Sequence, residues 1–460
     1  MQNPNTYEHL SLDVKSVLLT PYDRSQIIDI KPLCTEFHVY ESIFSHFVAI
    51  EIIIEDAKGL IERFPIVGDE KIGISFRTPS LEEYVEMEFD LYKTSPIVKN
   101  GERSRSYVLF GVSPEQRVNV LREVRNSHTG TCKDIVKNIF HTHFTDGDLF
   151  PRSKEVVASD TLGTQHFVGV GETPFNFIRK IAKEAESPDY PASNFTFYET
   201  LERKFYFKTI DEMIDSDVFE SYYYADAASL KRNERSESDT VHDYKVILDL
   251  QIDGIPDTLK TSITGGYRNA VKCFDPVTKT YAQKDFKYGE TDQLKMLGSE
   301  KIIPEVSLYR DVESSVHERF LRATVLNDYV REHITEETDK QYFYYRRRNR
   351  FAHLDVASRE LLNAIKLQCT ISGASDLHVG SVVNIFVSQD SNDEEFSKIY
   401  NIFYGGEKAD ANGVRNAKFL VTSLTHTFKF DNNSFATTFE CVKNSYASKI
   451  QTEGDRLSNG

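Results

Sequence analysis

The chain has 460 residues, beyond the size at which one hydrophobic core suffices, so three or four modules are expected. Hydrophobic residues make up 40% and charged residues 27%, which excludes a mainly disordered chain. A net charge of −16 excludes a protein whose main task is gripping a phosphate backbone, because that task needs clustered Lys and Arg.

Twenty-four Tyr and 31 Phe with no Trp favour strands and large packed interfaces over helical bundles. No apolar run approaches the roughly 18 residues of a membrane span. The start, Met1-Gln2-Asn3-Pro4-Asn5, lacks the basic and apolar regions of a signal peptide, so synthesis in the cytosol is expected. Cys34, Cys132, Cys273, Cys369 and Cys441 are scattered singly and read as buried thiols.

Residues 13–112 alternate in short strand-like runs broken by turn residues, the pattern of a small antiparallel barrel or sandwich. The clearest strand is Val85 to Leu91: apolar side chains take the odd positions and Glu86, Glu88 and Asp90 share the opposite face. After Ser113-Pro114-Glu115 the spacing changes. Cys132, Ile135, Val136, Ile139 and Phe140 predict a helix over 131–140. A second helix is predicted after Thr173 as N-cap, with Pro174 at its first position and a stripe of Phe175, Phe177, Ile178, Ile181, Ala182 and Ala185. Asn194 to Glu199 and Lys204 to Phe207 then predict a hairpin, so 113–215 reads as an α+β insert.

Residues 216–350 read as a mixed middle domain whose topology the sequence leaves open, with a strand at Tyr244 to Ile252 and an exposed polar loop from Lys231 to Asp239. A short helix, Asp355 to Asn363, precedes strands at Ala364 to Ser372, Gly380 to Ser388, Ala417 to Phe430 and Ser434 to Lys443. The domains expected are thus 1–112, 113–215, 216–350 and 351–445, with a frayed tail at 446–460. The fold class is α+β, mainly β, with two similar antiparallel β-barrel domains.

The last block looks like a shorter copy of the first. Ala49-Ile50-Glu51-Ile52-Ile53 leads to Val67-Gly68 and the strand Ile72 to Phe76; Ala364-Ile365-Lys366-Leu367-Gln368 leads to Val379-Gly380 and Val382 to Phe386. Each glycine is expected to supply the positive φ or the close approach that a turn entering a strand needs.

Three stretches carry a family resemblance. They are His38 to Phe44 with Ile54 to Ala57 and Phe64 to Glu70; Phe110 to Glu115 with Thr131 to Phe140; and Phe175 to Glu184 followed by Phe195 to Glu199. With these the chain resembles baseplate central hub proteins of contractile-tailed phages and, more distantly, the hub part of type VI secretion spike proteins. The likeness covers about 13–210 and 350–445. It implies a non-enzymatic homotrimer in which two barrels per chain close a ring of six, joining a hexameric tail tube protein to a trimeric central spike protein. Tape measure and baseplate wedge proteins are further implied partners, and the implied location is the virion tail baseplate, assembled in the host cytoplasm. No needle-like segment follows Lys443, so the spike is expected on a separate chain. The resemblance implies no cofactor, no metal, no membrane contact and no specific nucleic-acid binding.

His141 and His143, with His128, Cys132 and His166 nearby, suggest a metal site and hence a metal-dependent hydrolase, but no C-x-x-C or H-E-x-x-H accompanies them. Gly169-Val170-Gly171-Glu172-Thr173-Pro174 has proline where a dinucleotide fingerprint needs its third glycine, so a capped helix start is expected. Glu86 and Glu88 lie on one strand face and cannot flank a substrate as a glycosidase pair must. Arg346-Arg347-Arg348-Asn349-Arg350 is either a contact for nucleic acid or an acidic partner, or an exposed approach to the second barrel. The face of Glu86, Glu88 and Asp90 either lines a channel or is covered, and if covered needs cations, with Arg103 and Arg105 as candidates. A type VI hub is the alternative within the same fold.

Overall fold

The computed structural model describes residues 13–21, 26–64, 66–77, 84–100, 104–145, 154–224, 245–252, 257–275, 280–288, 293–299, 301, 318–322, 343–362, 364–387 and 417–447. The polar run 231–239, Arg103 and the tail from 448 lie outside the described residues.

The first segment runs β1 (Asp13–Thr20), β2 (Ile28–Asp29), β3 (Cys34–Ser42), β4 (Ala49–Asp56), α1 (Leu60–Arg63), β5 (Lys71–Arg77), β6 (Val85–Thr94), β7 (Val98–Asn100) and β8 (Ser104–Val112). Period-two alternation decides its inside and outside: Met87, Phe89 and Leu91 of β6 are buried with Val17, Phe37, Ile52, Ile72 and Leu109, while Glu86 and Glu88 are exposed.

The insert follows as α2 (Pro114–Leu121), β9 (Ser127–Gly130), α3 (Cys132–Phe144), β10 (Glu155–Ala158), β11 (Gln165–Val168), α4 (Pro174–Glu184), β12 (Phe195–Thr200), β13 (Lys204–Thr209) and α5 (Ile210–Ile214). Both predicted helices and the hairpin form, with Phe195 opposite Thr209. Their apolar faces meet in an aromatic core in which Phe197 stacks on Phe205 (5.3 Å between ring centres) and Phe140 lies 4.8 Å from Phe205. Thr131 caps α3 by accepting from the Asp134 N–H (3.2 Å). Thr173 does not cap α4 in this way: the Phe175 N–H instead donates to Asn119 Oδ1 of α2 (2.8 Å).

The remaining elements are β14 (Val218–Tyr224), β15 (Ile247–Ile252), α6 (Thr258–Thr264), β16 (Arg268–Asp275), β17 (Thr280–Lys287), β18 (Glu318–Arg322), α7 (Phe343–Leu362), β19 (Ile365–Ser372), β20 (Val382–Val387), β21 (Lys418–Lys429) and β22 (Ser434–Lys443). The helix expected at Asp355 begins twelve residues earlier, so the basic run 346–350 lies within a helix. Arg is a good helix former and no Gly or Pro interrupts the segment. Strands β16, β17 and β18 make a separate small sheet, on which Leu354, Ala357 and Leu361 of α7 pack against Tyr267 and Phe286.

The fold is mainly β, as expected, but among the described residues the two barrel-like units are not separately closed. They are curled halves of one 14-stranded sheet, joined where β21 pairs with β3. The halves share their topology: the order β3-β4-β8-β6-β5-β1 is matched by β15-β19-β22-β21-β20-β14. Taken one by one, these strands also correspond in chain order. Irregularities recur at equivalent places. A bulge lies between Leu91 and Lys93 where β6 meets β8, and between Val421 and Ser423 where β21 meets β22. Another separates Cys34 from Glu36 in β3 and Ile247 from Asp249 in β15. Gly68 and Gly380 precede equivalent strands with φ of 88° and 87°, the left-handed conformation their turns require.

The repeat expected from sequence is therefore present, with three corrections. Its second copy begins not near 350 but with β14 and β15, drawn from the stretch whose topology the sequence left open. The registers also differ: Ala49 faces Val112 and its counterpart facing Val442 is Lys366, not Ala364. A shift of two residues keeps every side chain on its proper face, so the alternation alone could not detect it. Finally, β14 runs parallel to β20 whereas β1 runs antiparallel to β5, so the second half is not wholly antiparallel.

Candidate functional site

The acidic face of β6 forms as the alternation requires, but its members differ. Glu86 and Glu88 are exposed, while Asp90 is 7% exposed. The cation beside them is Lys71, which stands directly opposite Asp90 in the β5–β6 register. Its Nζ lies 3.2 Å from Glu88 Oε1 and 3.9 Å from Asp90 Oδ1. Burial raises the Asp90 pKa, and the Lys71 and Arg117 charges oppose that rise. Arg105, a candidate partner from sequence, pairs instead with Glu62 (2.5 Å). Arg117 of α2 ties the insert to this edge by donating to the carbonyls of Gly68 and Leu91, 3.1 Å each.

Glu86 and Glu88 also line a cavity of about 40 Å³ between the sheet and the insert, with Pro114, Lys154 and Glu199 on its far side. Behind that cavity lies a buried ionic joint. Glu115 enters from the first turn of α2, Lys154 from just before β10 and Glu199 from β12. Lys154 Nζ is 2.6 Å from Glu115 Oε2 and also pairs with Glu199 Oε1. The other Glu199 oxygen accepts from the Val48 N–H of the sheet (3.0 Å). Burial raises the Glu199 pKa despite its cation, whereas for Lys154 the two carboxylates outweigh burial and its pKa is raised. Such a cluster locks one orientation, because any displacement strands a charge away from water.

A second ionic joint stitches both halves and the insert. His378, in the turn before β20, lies 3.6 Å from Glu41 of β3 and 3.3 Å from Glu202 of the β12–β13 turn. Glu41 Oε1 also accepts from the Leu201 N–H (2.9 Å). Burial opposes the His378 charge, but the two carboxylates prevail and lift its pKa to about 9. The hydrogen bond from His378 takes Glu202 down to about 2. Neither joint was singled out by sequence reasoning, because nothing local marks a charged residue for burial.

The other candidates separate in space or are committed to packing. His128 lies against the Phe177 ring (5.7 Å), His166 Nδ1 bonds Thr129 Oγ1 (2.7 Å), and His141 Nδ1 bonds Thr145 Oγ1 (3.2 Å). Among the described residues no three His, Cys, Asp or Glu are grouped as a metal site needs. Gly169 is required because a Cβ there would meet the Val124 carbonyl at 2.4 Å, a packing reason rather than a nucleotide one. A further cleft, 540 Å³, opens between α4, β12 and α7. Its two arginines are engaged: Arg179 donates to His46 Nε2 (2.7 Å) and Arg359 to the Phe195 carbonyl (2.9 Å). The cysteines Cys34, Cys132, Cys369 and Cys441 are buried and unbridged.

No protein-family model matches the sequence, and no curated protein matches it as a relative. Solved structures do match in fold. A tail protein from Neisseria meningitidis MC58 superposes with a TM-score of 0.50 at 11% identity, over 95% of this chain and 98% of that one. The 43 kDa tail protein of prophage MuSo2 from Shewanella oneidensis gives 0.50 at 10% identity, over 93% and 98%. A type VI secretion component of E. coli, described as similar to T4 tail proteins, aligns at 0.40 and 9% identity over 96% and 79%, too loosely to carry weight. Over nearly its whole length, the chain has the fold of these phage tail proteins.

Proposed function

We propose that this chain is the non-enzymatic central hub of a contractile phage-tail baseplate, in which three copies close a ring of six barrel-like halves between the tail tube and the central spike. The observation that carries the reading is the repeat of one six-strand order within a single chain. Two quasi-equivalent units per subunit let a trimer present six-fold-like edges to one partner and three-fold surfaces to another. The fold shared with tail proteins supports it, as do the two ionic joints, which fix the insert rigidly on the sheet.

Within that ring, Glu86 and Glu88, with the buried Asp90 beside them on the same strand face, are proposed to face the channel, where carboxylates disfavour phosphate and offer no counterions to release. The test is twofold. Light scattering and negative-stain images should give a trimeric ring with six-fold-like features; a monomer at every concentration, also with its spike partner, would remove the reading. Changing the exposed Glu86 and Glu88 together to Lys, with the buried Asp90 left in place, should leave assembly normal and impair genome delivery. Failed assembly would instead mean that this face is buried structure.

A further inference from the structure

The internal repeat makes a specific statement about edges. Within the chain the two halves are joined by one seam: residues 423–429 of β21 pair antiparallel with residues 36–42 of β3, from Ser423 opposite Ser42 to Lys429 opposite Glu36. By the correspondence of strands, β21 is the counterpart of β6 and β3 the counterpart of β15. The counterpart of the seam would join β6 to β15. These two strands lie far apart in the sheet order and do not pair.

Both edges are open among the described residues. Beyond the bulge at Leu91/Lys93, Lys93 and Thr94 pair only with β8, and β7 likewise pairs only with β8. Between them Ser95 keeps the ladder by donating its N–H to the Val108 carbonyl and accepting the Val108 N–H on its hydroxyl, 2.8 Å each. Apart from one bridge at Val246 to Tyr223, β15 pairs only with β19. Each edge also exposes apolar side chains: Tyr92 (54%), Ile97 (49%) and Val98 (57%) on one, Leu248 (59%) on the other. An open strand edge is a template for another strand.

We infer that the seam between subunits is the same seam as the one within the chain: residues 97–100 of one copy pair antiparallel with 249–252 of the next copy. The partner is a second copy of this chain, and the inference rests on the proposed ring. The bulges set the register. On β8 and β22, Ser104 corresponds to Ser434, so Asn100 takes the place of Lys429; on the other strand Asp249 takes the place of Glu36. Asn100 therefore lies opposite Asp249 and Val98 opposite Gln251. The seam within the chain carries a Lys429–Glu36 ion pair (4.0 Å) at this place, and the seam between chains carries an amide beside a carboxylate. The contact is head-to-tail and closes with three copies, giving six seams of one kind.

The four side chains that set this register are exposed, so cysteines there leave the core untouched. Asn100→Cys mixed with Asp249→Cys should give a disulfide-linked dimer on oxidation, and the double variant a covalent trimer. Val98→Cys with Gln251→Cys should do the same. Asn100→Cys with Ile252→Cys, displaced by three residues or roughly 10 Å, should not link, because disulfides need Cα atoms within about 7 Å. If scattering gives a trimer while neither predicted pair links, the seam is refuted and the ring survives. If the displaced pair links equally well, the register is wrong. A monomer throughout removes both seam and ring.

Discussion

Lys154→Met tests whether the buried joint holds the insert on the sheet. The substitution keeps the volume and removes the cation from between Glu115 and Glu199, whose residues are 1% and 3% exposed. Removing one partner from a buried ionic cluster costs about 3–5 kcal/mol, since the remaining charge has no solvent to turn to. For a cooperative unit of about 150–250 residues this is a fall of roughly 6–20 °C in the unfolding midpoint. The defect should depend on pH in a defined sense. Burial raises the Glu199 pKa above the ordinary glutamate range even with its cation in place, and without Lys154 nothing opposes that rise, so Glu199 binds a proton on folding. Stability of the variant is then highest in acid and falls as pH rises through the folded pKa of Glu199. Calorimetry at pH 7.5 and pH 4.5, against wild type, measures both effects, and adding Glu199→Gln should restore part of the loss at pH 7.5. A midpoint within about 2 °C of wild type at pH 7.5, or a loss equal at both pH values, would refute the reasoning.

His378, with a folded pKa of about 9 against an ordinary 6.5, contributes stability that is complete below pH 6.5 and lost as pH rises through 9, on the order of 3 kcal/mol. Glu202, lowered to about 2, adds stability that is present above pH 4.5 and lost as pH falls through 2. Melts of His378→Gln from pH 6 to 10 should therefore be lower than wild type at pH 6 and converge with it near pH 10. Phe428 belongs to β21 of the second half yet stacks on Phe37 (4.2 Å) and lies 5.2 Å from Phe76, both in the first. Phe428→Ala should cost about 3–5 kcal/mol and raise protease sensitivity in the first half as well as the second; cleavage confined to the second half, from β14 onward, would show the halves to be independent.

By itself the sequence determined whatever is local or periodic in this protein. The alternation of β6, the apolar stripes of α3 and α4, the β12–β13 hairpin and the last four strands form where side-chain spacing places them. The Val-Gly pairs before Ile72 and Val382 marked the repeat, because a left-handed turn selects glycine whatever the surroundings. What only the tertiary structure decided is non-local. Strands β14 and β15 complete the second half from far upstream, and a two-residue register shift costs no change of face, so periodicity is blind to both. Lys71 rather than Arg105 meets the acids of β6, because a strand's sequence carries no record of which residue lies opposite. Lys154 joins Glu115 and Glu199 across separations of 39 and 45 residues. Glu41 meets His378 from opposite ends of the chain. Burial of such charges is stable only once several segments have already converged on them, and that convergence is a property of the packed fold.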